Sequence, residues 1–433
     1  MTWMPNYWKS DRLKDVATIN GRSLAASTDP DFEFDYLEIS NVDFRGVIDA
    51  TAIPRLRYAV APSRARRLVQ RGDILVSSVR PNLQSIVLID GGMEQLVCST
   101  GFNVVQPKDW HFKSRFAYYT LVSDSARQYF EATAKGVGYP AVDDRDFNAL
   151  EVPMPPLSEQ ERIADYLDAS CAAIDAAAAT KRRQIARLDL LRASIIEKAV
   201  TQGLSAHARH TKIDQDWIGS LPDRWSVTRI KRLVSRLDYG ISVRTEPEGR
   251  HAVLKMGNIQ AGEIVFSKME FVQEVTEDLL LAHNDLLYNR TNSPDQVGKA
   301  ALFRGKEDDG VTFASYLVRL RVNHRIMPEF LNYVANSEGF LSFARKLAIP
   351  SVQQSNLNST RYSRMLIPLP PFDEQRAICD YLDTKLGNVK ETIAIIERQI
   401  GTLTAYRKSL IHECVTGQRR ITAADVERVA AHA

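Results

Sequence analysis

Two short stretches of the sequence have residue types suited to holding a metal ion or a phosphate group. His207 and His210 are spaced for one face of a helical turn, but they lie in a polar linker with no third ligand nearby. Gly136-Val-Gly138 follows no apolar strand and runs into Tyr139-Pro140, where a phosphate-binding turn would open a helix. Both stretches are therefore interpreted as ordinary linker and turn.

Catalysis on nucleic acids or nucleotides needs a more complete motif than this sequence offers. Gly298-Lys299-Ala300 lacks the earlier glycine and the hydroxyl residue of a nucleotide-binding P-loop. Pro294-Asp295 with Lys299 is too incomplete for a metal-dependent nuclease. Pro155-Pro156 lacks the preceding Asn or Asp with which amino methyltransferases accept their target amine. We therefore predict that this chain is not an enzyme and has no catalytic residue, no metal site and no cofactor of its own.

Recognition of nucleic acid is the chemistry that the remaining polar side chains fit. Arg and Lys neutralise phosphates, Arg pairs with guanine, and Asn or Gln pairs with adenine. The net charge of +3 is small, but the charge is unevenly distributed, with seven arginines and one acid, Asp73, between Thr51 and Arg80. The predicted DNA contacts lie in loops of both halves: Arg64, Arg66, Arg67, Arg80, Asn82, Lys135 and Tyr139 in the first, and Arg244, Asn289, Arg290, Asn292, Arg345, Lys346, Gln353 and Gln354 in the second.

Length and composition bound the class of protein. A chain of 433 residues is long enough for two to four domains, and its 44% hydrophobic and 25% charged residues are ordinary for a soluble protein. No apolar run approaches the roughly 18 residues that a membrane span needs, so we expect no membrane association and a cytoplasmic location. Four widely separated cysteines indicate buried apolar residues in a reducing compartment.

The chain contains one long phrase twice. Val152-Pro-Met-Pro-Pro-Leu-Ser-Glu-Gln is matched by Ile367-Pro-Leu-Pro-Pro-Phe-Asp-Glu-Gln, and the match continues at the same offset to Val200-Thr201 and Val415-Thr416. A second, shorter repeat opens each half, where Pro5-x-x-Trp corresponds to Pro222-x-x-Trp. Between these anchors the halves diverge. The sequence therefore predicts a pseudo-two-fold internal repeat.

The repeated phrase predicts a long helix in each half. The prolines stop the preceding element, and Gly203 and Gly417 lie where helices of about 44 residues, or roughly 65 Å, would end. Apolar residues follow a 3,4 spacing typical of a coiled-coil seam, and a pseudo-two-fold would run the two helices antiparallel. The seam positions are Leu167, Cys171, Ile174, Ala178, Lys181, Ile185, Leu188 and Ile195 in the first helix, and Leu382, Leu386, Val389, Ile393, Ile396, Ile400, Leu403 and Leu410 in the second.

The predicted fold class is therefore α+β, with two globular α+β domains separated by two long helices that form an antiparallel intramolecular coiled coil. The expected boundaries are 1–151 for the first domain, 152–204 for the first helix, 205–366 for the second domain with a linker at 205–221, 367–418 for the second helix, and 419–433 for a C-terminal extension.

Two further features of the helices carry predictions. If the helices cross near Thr180 and Ile395, Arg192 comes opposite Asp383 and Arg407 opposite Asp168, which predicts two ion pairs unless the arginines extend to water instead. Beside the seam lies a flank of small residues, and its glycines cost helix stability unless another chain approaches closely. We expect a partner protein to dock on this flank: Ala172, Ala179, Ala186, Ala193, Gly387, Ala394 and Gly401.

With its repeated Pro-Pro...Glu-Gln phrases, P-x-x-W openings and heptad helices, the whole chain resembles the specificity subunit of type I restriction-modification systems. The resemblance implies two target recognition domains, each reading one half of a bipartite, asymmetric DNA sequence, and helices that act as a ruler. It also implies two methyltransferase subunits docked on the helices and additional restriction subunits. S-adenosylmethionine, ATP and Mg would be used by those partners. Arg376 departs from the pattern because it stands where the first repeat has the acid Glu161.

Two alternatives stay open from the residues alone. A stand-alone DNA-binding coiled-coil scaffold would show the same features without a methyltransferase partner. A DNA methyltransferase in its own right would bind S-adenosylmethionine.

Overall fold

The computed structural model describes residues 4–43, 46–79, 85–91, 95–136, 138, 140–213, 217–306, 309–351 and 354–431. The chain divides into two compact units. Unit 1 comprises Met1–Arg182 and Glu397–Ala433, and unit 2 comprises Arg183–Ile396. The predicted domain boundaries differ from this division, because each unit contains one globular region together with half of each long helix.

The globular region of unit 1 is α+β, as predicted, and leads into the first long helix, α5. Its strands are β1 Lys9–Arg12, β2 Ala17–Ile19, β3 Glu33–Leu37, β4 Arg55–Arg57, β5 Ala65–Leu68, β6 Ile74–Ser77, β7 Ile86–Leu88, β8 Leu96–Ser99, β9 Phe102–Pro107 and β10 Glu151–Met154. Its helices are α1 Leu13–Val16, α2 Ser114–Val122, α3 Asp124–Thr133, α4 Asp144–Asn148 and α5 Leu157–Gln202.

Unit 2 is also α+β and leads into the second long helix, α9, after which the chain ends in a short helix of unit 1, α10. The strands are β11 His210–Lys212, β12 Ser220–Pro222, β13 Ser226–Arg229, β14 Val234–Tyr239, β15 His251–Leu254, β16 Ile259–Gln260, β17 Glu263–Ile264, β18 Glu270–Val272, β19 Leu286–Asn289, β20 Thr291–Asn292, β21 Ala300–Leu302, β22 Val311–Phe313, β23 Leu317–Val322, β24 Ile349–Ser351, β25 Gln354–Asn356 and β26 Leu366–Leu369. The helices are α6 Pro328–Ala335, α7 Glu338–Leu347, α8 Ser359–Arg364, α9 Phe372–Val415 and α10 Ala423–Ala430.

The two globular regions share much of their strand topology, although their sequences diverge. The sheet order β2-β9-β6-β7 of unit 1 recurs in unit 2 as β14-β23-β19-β21, extended there by β17 and β16. A second sheet in each unit contains one parallel pair, β3 with β8 and β15 with β22. The β1–β10 pair recurs as β13–β26. The internal repeat therefore extends through the divergent segments, where the sequence itself gives little sign of it.

Each long helix ends at a glycine, and the tryptophan of a P-x-x-W opening packs against that glycine. Gly203 and Gly417 have φ of +71° and +76°, a conformation that L side chains rarely adopt. A Cβ on Gly203 would lie 3.2 Å from the Trp225 ring, and one on Gly417 would lie 3.2 Å from the Trp8 ring. The P-x-x-W openings therefore close the helix ends within each unit.

A buried glutamine joins the start of each long helix to its globular region. Gln160 accepts a hydrogen bond from the Lys113 N–H at the start of α2 and donates to the carbonyls of His111 and Pro155, at 2.9, 3.1 and 3.0 Å. Its counterpart in unit 2, Gln375, makes the same three types of bond.

Gln375 accepts from the Met327 N–H at the start of α6, at 2.8 Å, and donates to the carbonyls of Arg325 and Pro370, at 3.2 and 3.0 Å. Both glutamine side chains are 1% exposed. The glutamine of the repeated phrase is therefore a structural anchor and needs no catalytic explanation.

The antiparallel seam is confirmed within each unit. Every predicted seam residue is buried or half-buried. In unit 1, the Lys181 Nζ lies 2.6 Å from the Gln399 Oε1, and Leu167 and Cys171 share a core with Leu410. In unit 2, Ile196 and Val200 pack with Ile378 and Leu382. As residue numbers rise along α5, those of the contacting residues in α9 fall.

The two predicted inter-helix ion pairs are wrong. Arg407 pairs with Asp175, at 3.2 Å, about two helical turns beyond the predicted Asp168. Asp168 instead faces its own globular region, where it accepts a hydrogen bond from the Tyr119 hydroxyl at 2.6 Å and pairs with Arg115. The helices thus cross in a different register from the one assumed.

In unit 2, Arg192 donates to the Ala261 carbonyl at 2.9 Å, and Asp383 accepts from the Tyr333 hydroxyl. Tyr333 occupies in α6 the position that Tyr119 occupies in α2, so the two aspartates have equivalent roles. Each aspartate therefore contacts a tyrosine of its own globular region, where an arginine of the other long helix was predicted.

All four cysteines are free and buried, as predicted. Burial disfavours the thiolate and raises the pKa of Cys98, Cys379 and Cys414 to about 12, and that of Cys171 to about 11. Among the described residues, no helix is both long and apolar enough to cross a membrane.

The glutamine anchors predict a measurable loss of stability. Replacing Gln160 or Gln375 with alanine removes three hydrogen bonds and leaves buried backbone groups without partners, which costs about 1–3 kcal/mol. We expect Q160A and Q375A each to lower the midpoint of thermal unfolding. Q184A, at an exposed position of α5, is the matched control and should change stability by less than about 0.5 kcal/mol. Equal midpoints for all three variants would show that the glutamines do not anchor the helices.

Candidate nucleic-acid interface

A small sheet in unit 2 brings together residues that the sequence places more than 60 positions apart. Strand β20 pairs with β25, so that Thr291 lies opposite Asn356 and Asn292 opposite Ser355. Strand β25 also pairs with β24 to form a hairpin. The predicted contacts Asn292 and Gln354 therefore lie on neighbouring strands, with Gln354 exposed and Asn292 half-buried.

Arg290 lies at the edge of this sheet and is held by an aromatic ring. Its guanidinium carbon lies 5.1 Å from the centre of the Tyr239 ring, and Nη1 donates to the Ser315 carbonyl at 3.0 Å. Its buried Nε has no hydrogen-bond partner among the described residues. Arg290 is thus oriented by its neighbours, and no acid in the described part of the chain forms an ion pair with it.

Two further cations lie close together beside the same segment. Burial, and then the Arg345 guanidinium, lower the pKa of Lys299. Arg345 donates to the Asp295 carbonyl at 2.6 Å. The next residue, Lys346, is exposed. Like charges held near one another favour an anion in their vicinity, which fits the prediction that this surface contacts phosphates.

The prediction that Asn289 contacts DNA is wrong for this conformation, because its side chain is 0% exposed. It ends β19 on the same face as Leu287, and that face packs into an apolar core with Phe303 and Leu317. Arg244 is 90% exposed and lies 3.5 Å from Glu246. Its role in DNA contact stays a prediction.

The corresponding part of unit 1 has the same backbone arrangement with different side chains. Val142 N–H donates to the Ser78 carbonyl at 3.0 Å, as Leu357 N–H donates to the Arg290 carbonyl at 2.8 Å. Ser78 therefore stands where unit 2 has Arg290. Lys135, at the base of the adjacent loop, pairs with Asp143 at 2.6 Å. The predicted contacts Arg80, Asn82 and Tyr139, and Gln353 of unit 2, lie outside the described residues.

Much of the arginine-rich stretch of unit 1 is already paired. Arg64 forms an ion pair with Glu38 at 2.7 Å, and Arg55 pairs with Glu33 at 3.2 Å. Arg66 lies over the Tyr58 ring. Arg67 is half-buried against Asn103, and burial lowers its pKa. The structure does not gather Arg64, Arg66 and Arg67 into one unpaired patch, so their contact with phosphates stays a prediction.

The flank of small residues on the long helices is open. Ala172, Ala186, Gly387, Ala394 and Gly401 are exposed, while Ala179 and Ala193 are half-buried. A Cβ added to Gly387 or to Gly401 would meet no described atom within 4 Å. Packing among the described residues therefore gives no reason for the two glycines.

Charged groups elsewhere in unit 2 form structural contacts. Arg319 is fully buried and donates to the carboxylate of Asp238 and to the carbonyls of Leu280 and Asp278. Arg321 pairs with the buried Asp285 at 2.7 Å. In the described part of the chain, no group of three or more His, Cys, Asp and Glu residues is arranged to hold a metal ion.

Sequence reasoning did not identify several residues of these surfaces. Tyr239 gave no signal, and Lys299 was considered only in incomplete catalytic motifs, because the role of both depends on strands that are distant in the chain. Tyr119 and Tyr333 could have been found, since both follow a phenylalanine by three positions in the spacing Phe116-x-x-Tyr and Phe330-x-x-Tyr.

Comparisons with known proteins agree with this architecture. Residues 5–187 match the family described as the type I restriction modification DNA specificity domain. The chain is 24% identical over 427 residues to the type I restriction enzyme MjaVIII specificity subunit of Methanocaldococcus jannaschii, covering 96% of this chain and 94% of that protein. It is 23% identical to the EcoKI specificity subunit of Escherichia coli K12, covering 75% of this chain and 74% of that subunit.

Solved structures show the same fold. A chain from a study of the assembly and conformational transition of a type I restriction-modification system superimposes with a TM-score of 0.74 at 21% identity, covering 95% of this chain and 98% of that chain. The HsdS subunit of Thermoanaerobacter tengcongensis gives a TM-score of 0.51 at 21% identity, covering 96% of this chain and 98% of that subunit. With its duplicated α+β regions and paired long helices, this chain is similar in sequence and in fold to specificity subunits of type I restriction-modification systems.

Proposed function

We propose that this chain reads a bipartite, asymmetric DNA sequence, with one half-site recognised by the globular region of each unit. The observation that carries the proposal is the occurrence of one topology twice with different side chains at equivalent positions, such as Ser78 and Arg290. Two readers of one shape but different chemistry suit two unlike half-sites. DNA recognition is also what the family description and the names of the relatives imply.

The chain itself supplies recognition and no catalysis in this proposal. Two adenine methyltransferase subunits would provide the methyl transfer with S-adenosylmethionine, and restriction subunits would provide ATP- and Mg-dependent cleavage. The names of the relatives, which describe subunits of restriction enzymes, support partners of this kind. The incomplete motifs at Gly298 and Pro155 support the view that the chemistry belongs to other chains.

The long helices would set the number of base pairs between the half-sites. Both helices run from one unit into the other, and the division falls near their middle, at Arg182 and Ile396. Each globular region is anchored to the start of one helix by a buried glutamine. The number of residues in the long helices would therefore determine the spacing between the half-sites that the two globular regions recognise.

The open flank of the helices is the proposed docking surface for the methyltransferase subunits. Glycine within a helix costs about 1 kcal/mol relative to alanine, and neither Gly387 nor Gly401 has a described neighbour that would exclude a Cβ. We therefore propose that the two glycines allow a partner chain to approach the helices closely.

The spacer proposal is tested by lengthening the helices. Seven residues inserted after Arg182 in α5 and seven after Ile396 in α9 preserve the heptad and add about 10 Å of helix. We expect methylome sequencing of a strain with this variant to show both half-sites unchanged and a spacer longer by about three base pairs, because B-DNA rises roughly 3.4 Å per base pair. An unchanged spacer would rule out the helices as the ruler, and absence of methylation that depends on the wild-type gene would contradict the function itself.

The interface proposal is tested at the hairpin. Gln354 is exposed, and an amide in this position can pair with adenine. We expect Q354A to relax discrimination at one base pair of one half-site by about 1–3 kcal/mol, as measured by competition between duplexes that differ at single positions. Q128A, an exposed glutamine of α3, serves as the control and should leave the preference intact. Loss of affinity for all duplexes alike would show that Gln354 does not read a base.

The docking proposal is tested with opposite substitutions at the same glycines. G387A with G401A should stabilise the isolated chain, since each alanine adds up to about 1 kcal/mol of helix stability. G387L with G401L should fill the flank and prevent co-purification of the methyltransferase subunits, while T402L, at an exposed neighbouring position, should not. Co-purification that persists with both leucines would favour docking elsewhere, and a chain that recruits no methyltransferase even as wild type would support the scaffold alternative.

A further inference from the structure

A cavity of about 320 Å³ in unit 2 is lined by three arginines and an apolar floor. Arg229 ends β13, and Arg361 and Arg364 lie three residues apart on α8, a spacing that places them on one face. All three side chains are exposed. Trp217 and Phe343 form part of the floor. The cavity is separate from the residues of the hairpin surface described above.

No acid neutralises this cluster in the part of the chain that the structure describes. The sequence from Gly339 to Phe372 contains no Asp or Glu. Arg361 donates from Nη1 to the Leu347 carbonyl, at 2.8 Å, and its other guanidinium nitrogens make no hydrogen bond to a described residue. Three arginines that line one cavity and have no acid partner among the described residues favour an anionic ligand, and their planar N–H groups match the oxygens of a phosphate.

Trp217, which lines the cavity, is held in place by contacts within unit 2. The Trp217 indole N–H donates to the Leu366 carbonyl at 2.9 Å, and the ring packs edge-on against Phe340 with centroids 5.6 Å apart. Trp217 therefore provides a fixed apolar wall of the cavity that the arginines also line.

One residue that lines the cavity, Leu347, is close in sequence to the β24–β25 hairpin. Leu347, whose carbonyl holds Arg361, ends α7 two residues before β24 begins. A three-residue strand spans about 10 Å, so Leu347, which lines the cavity, lies near the base of the hairpin. The major groove of B-DNA is about 12 Å wide. A hairpin that enters the groove would therefore bring a flanking phosphate backbone to its own base.

The described residues at the equivalent positions of unit 1 do not form such a cluster. There, Glu151 occupies the place of Leu366 beside Arg12, as the pairing of β1 with β10 and of β13 with β26 shows. Asp146 occupies the place of Arg361, since each donates its N–H to the residue that caps its helix, Asp143 or Asn358. The cation cluster is thus a feature of one reader and not of the shared framework.

From these observations, and resting on the proposed function, we infer that the Arg229–Arg361–Arg364 cavity binds a backbone phosphate of the DNA duplex beside the half-site read by unit 2. The contact positions the duplex and carries no base preference, so it acts on every DNA sequence alike.

The test compares R361Q/R364Q with the wild-type full chain, in complex with its methyltransferase subunits, on the recognised duplex and on a random duplex of equal length. Each phosphate that the protein no longer neutralises reduces the slope of log K against log salt concentration by about 0.9. We expect the double variant to bind both duplexes more weakly by the same factor, with a slope smaller by about one to two and unchanged base preference. R398Q, at an exposed position of α9 in unit 1, is the control and should leave the slope unchanged.

Ethylation interference on the recognised duplex locates the contact directly. With wild-type protein, ethylation of one or two phosphates beside the unit 2 half-site should block binding, and R361Q/R364Q should lose interference at those phosphates alone. R229Q provides a second, single substitution, and unchanged unfolding midpoints confirm that the variants fold.

Unchanged slope and interference in the variants, with wild-type protein binding DNA, would overturn the cavity proposal and leave the proposed function standing. Loss of a partner subunit without any change in DNA binding would overturn it in favour of an acidic segment of that partner. A wild-type complex that binds no DNA would contradict the proposed function instead.

Discussion

The hydrogen bonds of one buried glutamine at the start of each long helix are the constraint on which the rest of the structure depends. Gln160 and Gln375 each join three backbone groups that belong to different elements, namely the loop before a domain helix, the N–H at the start of that helix, and the proline that precedes the long helix. No smaller or charged side chain offers a donor and an acceptor with this reach. The duplicated phrase persists because it sets the direction in which each helix leaves its globular region.

The helical framework could be predicted from the sequence because its signals are local and periodic. The heptad residues, the glycines at the helix ends and the prolines at the helix starts each act through neighbours along the chain, and all of them lie as expected. The register of the crossing could not be predicted from charge alone. Asp168 and Asp383 had two competing partners, and the tyrosines of their own globular regions contact them in place of the arginines of the other helix. An exposed ion pair contributes at most about 1 kcal/mol, too little to fix the register.

The types of residue at the candidate interface could be predicted from the sequence, but which of those residues are exposed could not. Asn289 and Asn292 are three positions apart and chemically identical, yet one is fully buried at the end of a strand and the other lies at the edge of a small sheet. That difference follows from pairing between β20 and β25, which are separated by about 60 residues of chain. Tyr239 and Lys299 take part for the same reason. Only the fold decides which polar residues of a loop are available to a ligand.

The residues that hold the long helices are separate from the loops at the candidate interface. This separation explains how one topology can present two different recognition surfaces. In unit 2 an additional hairpin, β16–β17, contacts the long helices through Arg192 and Lys390 and contacts α6 through Asn332. These contacts lie on the helical side of the unit and involve none of the residues at the β20–β25–β24 sheet. Insertions near the helices can therefore reinforce the framework, while substitutions at the sheet alter the chemistry presented to a ligand. Because neither change disturbs the glutamine, tyrosine and glycine contacts, the reading surfaces of the two units are free to diverge while the framework that relates them stays constant.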